Sequence, residues 1–190
     1  HPRDVVIPDQ LIDRTKGRVN TFFGDGIVAH VSFSDPYCEG LRKFISNTCD
    51  HLQTPFHYGG TYVAIEGPQF STRAESNLYR TWGADLIGMT ALPEAKLARE
   101  AEMCYATVAL VTDFDCWKED EGPVNADMIV KNLLSNVETS KNIVRELSVC
   151  DDINYSCLCH NALSNAIITD LSGVDSERVE NIKLLIGKYI

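Results

Sequence analysis

Between Cys104 and Thr112 the sequence runs almost without a charged or strongly polar side chain. The run is far too short to span a bilayer and too apolar to be left in water. It suits a central strand covered on both faces, as strands of parallel sheets are. Immediately after it come Asp113, Phe114, Asp115, Cys116, Trp117, Lys118, Glu119, Asp120, Glu121, Gly122 and Pro123, which put charges and aromatic rings at the strand's carboxyl end. Ligands of open α/β sheets bind beyond such ends. The chain therefore reads as α/β, with a site at the tip of an interior strand.

The flanking pattern agrees, because short β-rich runs alternate with helical stripes. Val5 to Ile7 and Ile27 to Phe33 read as strands. Asp35 and Pro36 then open a helix whose face is Leu41, Phe44, Ile45, Thr48, Cys49 and Leu52. Tyr58 to Ile65 reads as a strand stopped by Glu66, Gly67 and Pro68. Thr72 with Glu75 is a capping-box pattern for a helix ending before Gly83. Ala84 to Met89 reads as a further strand, and Pro93 with Glu94 starts another helix. A long helix is expected from Asn125 or Asp127, with Ile129, Val130, Leu133, Leu134, Val137, Val144 and Leu147 on one stripe. Two shorter helical segments follow Cys150, the last carrying Val179, Ile182, Leu185, Ile186 and Tyr189.

With 190 residues, 44% apolar and 23% charged, the chain can bury its own core, and one domain over 1–190 is the expectation. The formal net charge of −10 argues against a phosphate-backbone binder, so no nucleic-acid partner is expected and a small-molecule ligand is. No apolar run reaches membrane length and no leader pattern opens the sequence, which begins His1, Pro2; a soluble cytoplasmic protein is expected. Cys38, Cys49, Cys104, Cys116 and Cys150 are scattered singly and only Cys157 and Cys159 lie close together. No zinc spacing is visible, so reduced thiols and no metal are the reading, with Cys157 and Cys159 the one pair that could oxidise.

Three strand-to-loop junctions put polar residues where a ligand would sit: Glu66 to Ser71, Gly88 to Thr90, and Thr112 to Asp115. Alternate positions on a continuing strand send Asp113 and Asp115 to one side. Phe70 fits either a core or a base-stacking platform, Ser71 either a cap or a ligand contact, and Thr90 could simply begin the turn before Pro93.

Three motifs resemble, in the expected order, the 5′-methylthioadenosine phosphorylases of the trimeric purine nucleoside phosphorylase family. They are Ile65-Glu-Gly-Pro-Gln-Phe-Ser-Thr-Arg-Ala-Glu75, Trp82-Gly-Ala-Asp-Leu-Ile-Gly-Met-Thr90 with Pro93-Glu94, and Thr112-Asp-Phe-Asp-Cys-Trp-Lys118. The resemblance runs from about Asp4 to about Thr169, and Cys157-x-Cys159 with His160-Asn161-Ala162 is similar to the carboxyl-terminal segment of some prokaryotic members. It implies a mixed central sheet flanked by helices and a phosphorolysis in which inorganic phosphate, the co-substrate, attacks the ribose anomeric carbon. Adenine and 5-methylthioribose 1-phosphate leave, without a cofactor.

Such a reaction builds positive charge on the ribose and negative charge on the purine, so the departing base needs a proton or hydrogen bonds. By resemblance Asp113 is the general acid at purine N7 and the 6-amino group, and Asp115 its partner at the same amine. Two close carboxylates can share a proton that is lent to the leaving group. A carboxylate accepts from a 6-amino group and would meet a 6-oxo oxygen unless protonated, which points to adenine. The resemblance further implies that Phe70 stacks on the purine, Ile65 lines its cleft and Ser71 reaches its edge. Gly88 and Met89 would lie against the ribose and Thr90 would hold phosphate. Ala126, Ile129 and Val130 would form an apolar wall for the methylthio group, where a hydroxyl would be stranded. For Ile129 and Val130 a core stripe is an equal reading. His30 resembles a histidine that reaches into a neighbouring subunit's pocket, implying a homo-oligomer, a trimer or a dimer of trimers.

Family members also carry an amino-terminal portion with a Gly-rich strand end, an Arg-His pair and a small-residue turn that supply most of the phosphate site and several strands. The chain resembles the carboxyl-terminal two-thirds, so a fold with amino-terminal strands missing is expected. Two other readings stay open: a phosphorylase acting on adenosine or 6-oxopurine nucleosides, and a noncatalytic purine-binding fragment.

Overall fold

A computed structural model describes residues 1–118, 126–149 and 157–190. The Glu119 to Pro123 part of the acidic loop, Asn125 and Cys150 lie outside the described residues. The strands are β1 (Val5–Ile7), β2 (Gln10–Arg14), β3 (Phe56–Tyr58), β4 (Thr61–Ile65), β5 (Leu86–Gly88) and β6 (Ala109–Leu110). The helices are α1 (Glu39–His51), α2 (Arg73–Thr81), α3 (Glu94–Glu100), α4 (Ala126–Val149), α5 (Ser176–Asn181) and α6 (Lys183–Ile186).

The strands form two three-stranded sheets, ordered β3-β1-β6 and β2-β4-β5. The sheets share a seam, because β2 follows β1 after only Pro8 and Asp9, and β4 follows β3 after only Gly59 and Gly60. The β1–β3 and β2–β4 pairs are both parallel, with Val5 opposite Phe56 and Gln10 opposite Thr61. Proline supplies no donor at this bend. The two glycines turn at φ +100° and +110° there, conformations that side-chain-bearing residues rarely adopt. Asp9 Oδ1 accepts the Gly60 N–H at 2.6 Å and closes the corner. The run expected as one strand from Tyr58 to Ile65 is thus split where its glycines sit.

Helices flank both sheets and mixed α/β architecture holds. Val5, Ile7, Ile45, Cys49 and Ile143 make a core between β1, α1 and α4, and Tyr62, Ala64, Leu92 and Ala95 make another under β4 and α3. Each fully buried Val or Ile contributes about 1.5–3 kcal/mol relative to exposure. A third core joins Phe23 and Ile27 to Leu163, Ala166 and Ile186 near the carboxyl terminus. Here Ile27 to Phe33 departs from expectation. It is not a strand, and its one pairing is an isolated antiparallel bridge between Ala29 and Ile167. Ile27, Ala29 and Val31 pack on the tail, Phe33 packs on the cluster of Tyr62, Leu92 and Ala95, and Val28 is exposed.

The apolar run from Cys104 to Thr112 also departs from expectation. Its regular strand is two residues long, half-buried, and paired on one side only, antiparallel to β1. The other side faces a cavity. Helix α1 begins at Glu39 with Cys38 as its N-cap, later than Asp35 and Pro36 implied. In α4 the buried positions are Asn136 and Ile143, whereas Val130, Leu133, Leu134 and Val144, expected on the buried stripe, are exposed. No described helix is long and apolar enough to cross a membrane.

Candidate active site

The site is assembled from the three junctions at strand ends. Helix α2 starts at the capping box read from sequence: Thr72 Oγ1 accepts the Glu75 N–H at 3.2 Å, and Glu75 accepts the Thr72 N–H at 2.8 Å. That box fixes the direction in which Ser76, one turn later and 2% exposed, points toward the loop beyond β6. There Ser76 donates to Asp115 Oδ2. Asp113 is held separately: its Oδ2 accepts the Thr112 hydroxyl at 2.7 Å and its Oδ1 accepts the Asp115 N–H at 2.8 Å. Asp115 sits at φ +60°, a left-handed conformation that carboxamide and carboxylate residues tolerate better than most. Arg80 of α2 lies 4.0 Å over the Trp117 ring and pins the far side of the loop.

Helix α4 fastens the same loop from below. Asn136, 2% exposed, donates to the Val111 carbonyl at 3.1 Å, and Asn132, one turn earlier, donates to the Thr112 carbonyl. The end of the run is thus held twice, by side chains of α4 and by backbone bonds in which Val111 accepts the Arg3 N–H at 2.7 Å and donates to the Asp4 carbonyl at 3.0 Å.

The β5 end is shaped by close contacts. A Cβ on Gly88 would lie 2.0 Å from the Tyr62 hydroxyl, so only glycine lets that ring pass. The hydroxyl then reaches Thr90 Oγ1 at 3.2 Å and accepts the Thr90 N–H at 3.4 Å. Gly67, at φ +72°, leaves the space that the Met89 sulfur fills. Arg18 ties this junction to the one after β4. Its guanidinium donates to the carbonyls of Met89 at 3.0 Å, Leu92 at 2.6 Å, Ile65 at 3.4 Å and Glu66 at 3.2 Å, and to the Glu66 carboxylate at 3.0 Å.

A cavity of about 910 Å³ opens between β5 and the run leading to Asp113. Gly88, Met89, Thr90, Asp113 and Asp115 all line it, with Ser76, Tyr62, Arg80 and Trp117. The other expected residues do not. Ile65 is buried in the apolar cluster of Val63, Tyr79, Ile87 and Met89 behind the wall. Phe70 is 51% exposed and away from the lining. Ser71 packs beside the acidic loop, its carbonyl accepting from the Cys116 thiol, and its own hydroxyl is buried without a hydrogen-bond partner among the described residues. His30 is exposed, and its backbone N–H donates to the Ala166 carbonyl at 2.8 Å. Ile129 is half-buried and Val130 exposed on the first turns of α4, outside the lining; the side chain of Ala126 lies outside the described residues.

Ser76, Tyr62, Arg18, Asn132 and Asn136 were not legible as site residues. The i,i+4 asparagine pair on an otherwise apolar stripe was the one available signal. Away from this cavity, four cysteines scattered in sequence, Cys38, Cys104, Cys157 and Cys159, bring their sulfurs within 4.8 Å of one another, the one described group with donors for a metal.

The phosphorylase superfamily matches residues 1–148. S-methyl-5′-thioadenosine phosphorylase of Koribacter versatilis is 55% identical over 99% of this chain and 64% of its own length. The protein of the same name from Geobacter sulfurreducens is 49% identical over all of this chain and 66% of its own. The chain thus spans just under two thirds of these relatives. A crystal structure of a methylthioadenosine phosphorylase from an antarctic soil metagenomic library superposes with a TM-score of 0.89 at 46% identity, covering 97% of this chain and 66% of that one. Methylthioadenosine phosphorylase from Schistosoma mansoni in complex with adenine superposes with a TM-score of 0.74 at 30% identity, covering 98% and 65%.

Proposed function

The chain belongs to the phosphorylase superfamily, among its S-methyl-5′-thioadenosine phosphorylases, and from that premise we propose that it serves the phosphorolysis of 5′-methylthioadenosine to adenine and 5-methylthioribose 1-phosphate. The observation that carries this reading is the shared cavity: two separately anchored carboxylates, Asp113 and Asp115, face the Gly88–Thr90 turn across it.

Asp113 is the proposed general acid. Its two oxygens each accept one internal hydrogen bond and keep capacity for a second, which suits a purine N7 and 6-amino edge. Asp115, fixed by Ser76, is the second acceptor for the amine. Met89 would lie against the ribose, with Gly88 beneath it. Thr90, oriented by Tyr62, would donate to inorganic phosphate, the co-substrate. Ser71 would reach the purine edge, a role supported by its buried hydroxyl, which has no hydrogen-bond partner among the described residues. Phe70 and Ile65 would close over and behind the base. Ala126, Ile129 and Val130 would face the methylthio group. His30, exposed on its loop, would complete the pocket of a neighbouring copy in a trimer or dimer of trimers. We take the chain as one phosphorylase-type unit working in the cytoplasm without a cofactor.

The test is phosphate-dependent release of adenine by the 190-residue chain, with methylthioadenosine, adenosine and inosine in competition. Methylthioadenosine should be preferred, and Asp113→Asn should lower turnover by about 100- to 10,000-fold. Preference for inosine, or a near-normal rate for the variant, removes the assignment. Calorimetric adenine binding without phosphate-dependent release assigns binding in place of turnover.

A further inference from the structure

The four converging cysteines belong to none of the chemistry above. Cys38 caps α1, and its N–H donates to the Tyr105 carbonyl at 2.8 Å, which lays it beside Cys104. Cys157 and Cys159 arrive on a 3-10 turn at Leu158–Asn161. Cys38 and Cys159 are 4% and 7% exposed, and Cys104 and Cys157 are half-buried.

All four sulfurs lie within 4.8 Å of one another, and those of Cys104 and Cys157 are 3.1 Å apart. Four thiolates at about 2.3 Å from a tetrahedral zinc stand about 3.8 Å apart. That figure falls between the shortest observed spacing and the 4.8 Å within which all four sulfurs lie. We infer that Cys38, Cys104, Cys157 and Cys159 form a closed structural site for a thiophilic divalent cation, zinc, which joins the start of α1, the start of the apolar run and the carboxyl-terminal segment. Four thiolates and no open position suit zinc better than a hard cation that prefers oxygen. Binding turns the thiols into thiolates and releases their protons to solvent.

The surroundings agree. The His160 ring lies beside Cys104, with Nε2 3.7 Å from its sulfur and Nδ1 3.2 Å from the Glu102 carbonyl, the position of an outer partner that orients a ligand. Burial and neighbouring thiols push the Cys104 and Cys159 thiols up. At Cys157 burial also acts to raise it, but hydrogen bonds from Cys104, Cys159 and the backbone prevail and hold it below the ordinary thiol value.

The experiment uses the 190-residue chain purified under reducing conditions without chelator. Elemental analysis should find one zinc per chain, and cobalt(II) alone should produce an intense thiolate charge-transfer band with tetrahedral d–d bands. Cys104→Ser and Cys159→Ser should each abolish stoichiometric zinc, Cys116→Ser should not, and His160→Ala should weaken zinc binding by about 10- to 100-fold. If the serine variants do not fold, the wild-type chain still decides: the four thiols should alkylate only after a chelator is added. A folded, reduced chain that takes up no zinc on titration overturns the proposal. So does non-reducing peptide mapping that finds these cysteines joined as disulfides.

Discussion

At the scale of single residues, the acids at the end of the run are legible from sequence because polarity changes abruptly there, from Val111 to Asp113. What holds the site together is not, since Ser76 reaches Asp115, Tyr62 reaches Thr90 and Arg18 reaches the Met89 carbonyl from 28 to 71 residues away through contacts that only folding creates. Gly88 is the sharpest instance of a residue whose identity is dictated by a distant neighbour. Gly88→Ala should drive the new methyl into the Tyr62 hydroxyl and cost about 1–3 kcal/mol. Chemical denaturation of Gly88→Ala, alone and combined with Tyr62→Phe, checks this: the second change should recover part of the loss, and no recovery would mean the clash lies elsewhere.

At the scale of elements, local signals succeeded and long-range ones failed. The Thr72–Glu75 box, the Pro93–Glu94 start and β1 appear where residue chemistry places them. Ile27 to Phe33 has the β-branched composition of a strand and becomes a loop, because Ile27, Ala29 and Val31 find partners in the tail and Phe33 finds them beneath β4 and α3, rather than at a sheet edge. The Cys104–Thr112 run is apolar enough for the centre of a sheet, yet lies at an edge with α4 asparagines supplying donors to its last carbonyls. Asn136→Ala should therefore strip the Val111 carbonyl of one of its two donors, leaving the Arg3 N–H, and destabilise the chain by about 0.5–1.5 kcal/mol. Thermal melting of Asn136→Ala beside Asn142→Ala at an exposed position of the same helix separates this loss from the gain in helix propensity that alanine brings at both sites; equal effects would remove the clamp.

For the whole molecule, the carboxyl-terminal segment is joined to the rest through charge as well as packing. Glu102, 9% exposed, bonds Lys188 Nζ, the Tyr189 hydroxyl and the Leu163 N–H. Burial acts to raise its carboxyl, but those three partners outweigh it and hold the group below the ordinary carboxylate value. A depressed folded value means that this contribution to stability is fully present above the unfolded value near 4.5 and fades as acid carries the pH down through the folded one. Glu102→Gln should flatten that acid limb in urea midpoints measured between neutral pH and pH about 3; an unchanged limb would place the acid sensitivity in other carboxylates.

The fastening by Arg18 has a further consequence. One planar cation grips the backbone behind both the Ile65–Glu66 and the Met89–Leu92 corners, so the two corners form a single hinge-less plate. Strain imposed on either corner by an arriving molecule is passed to the other through that cation and through the Met89 sulfur seated against Gly67.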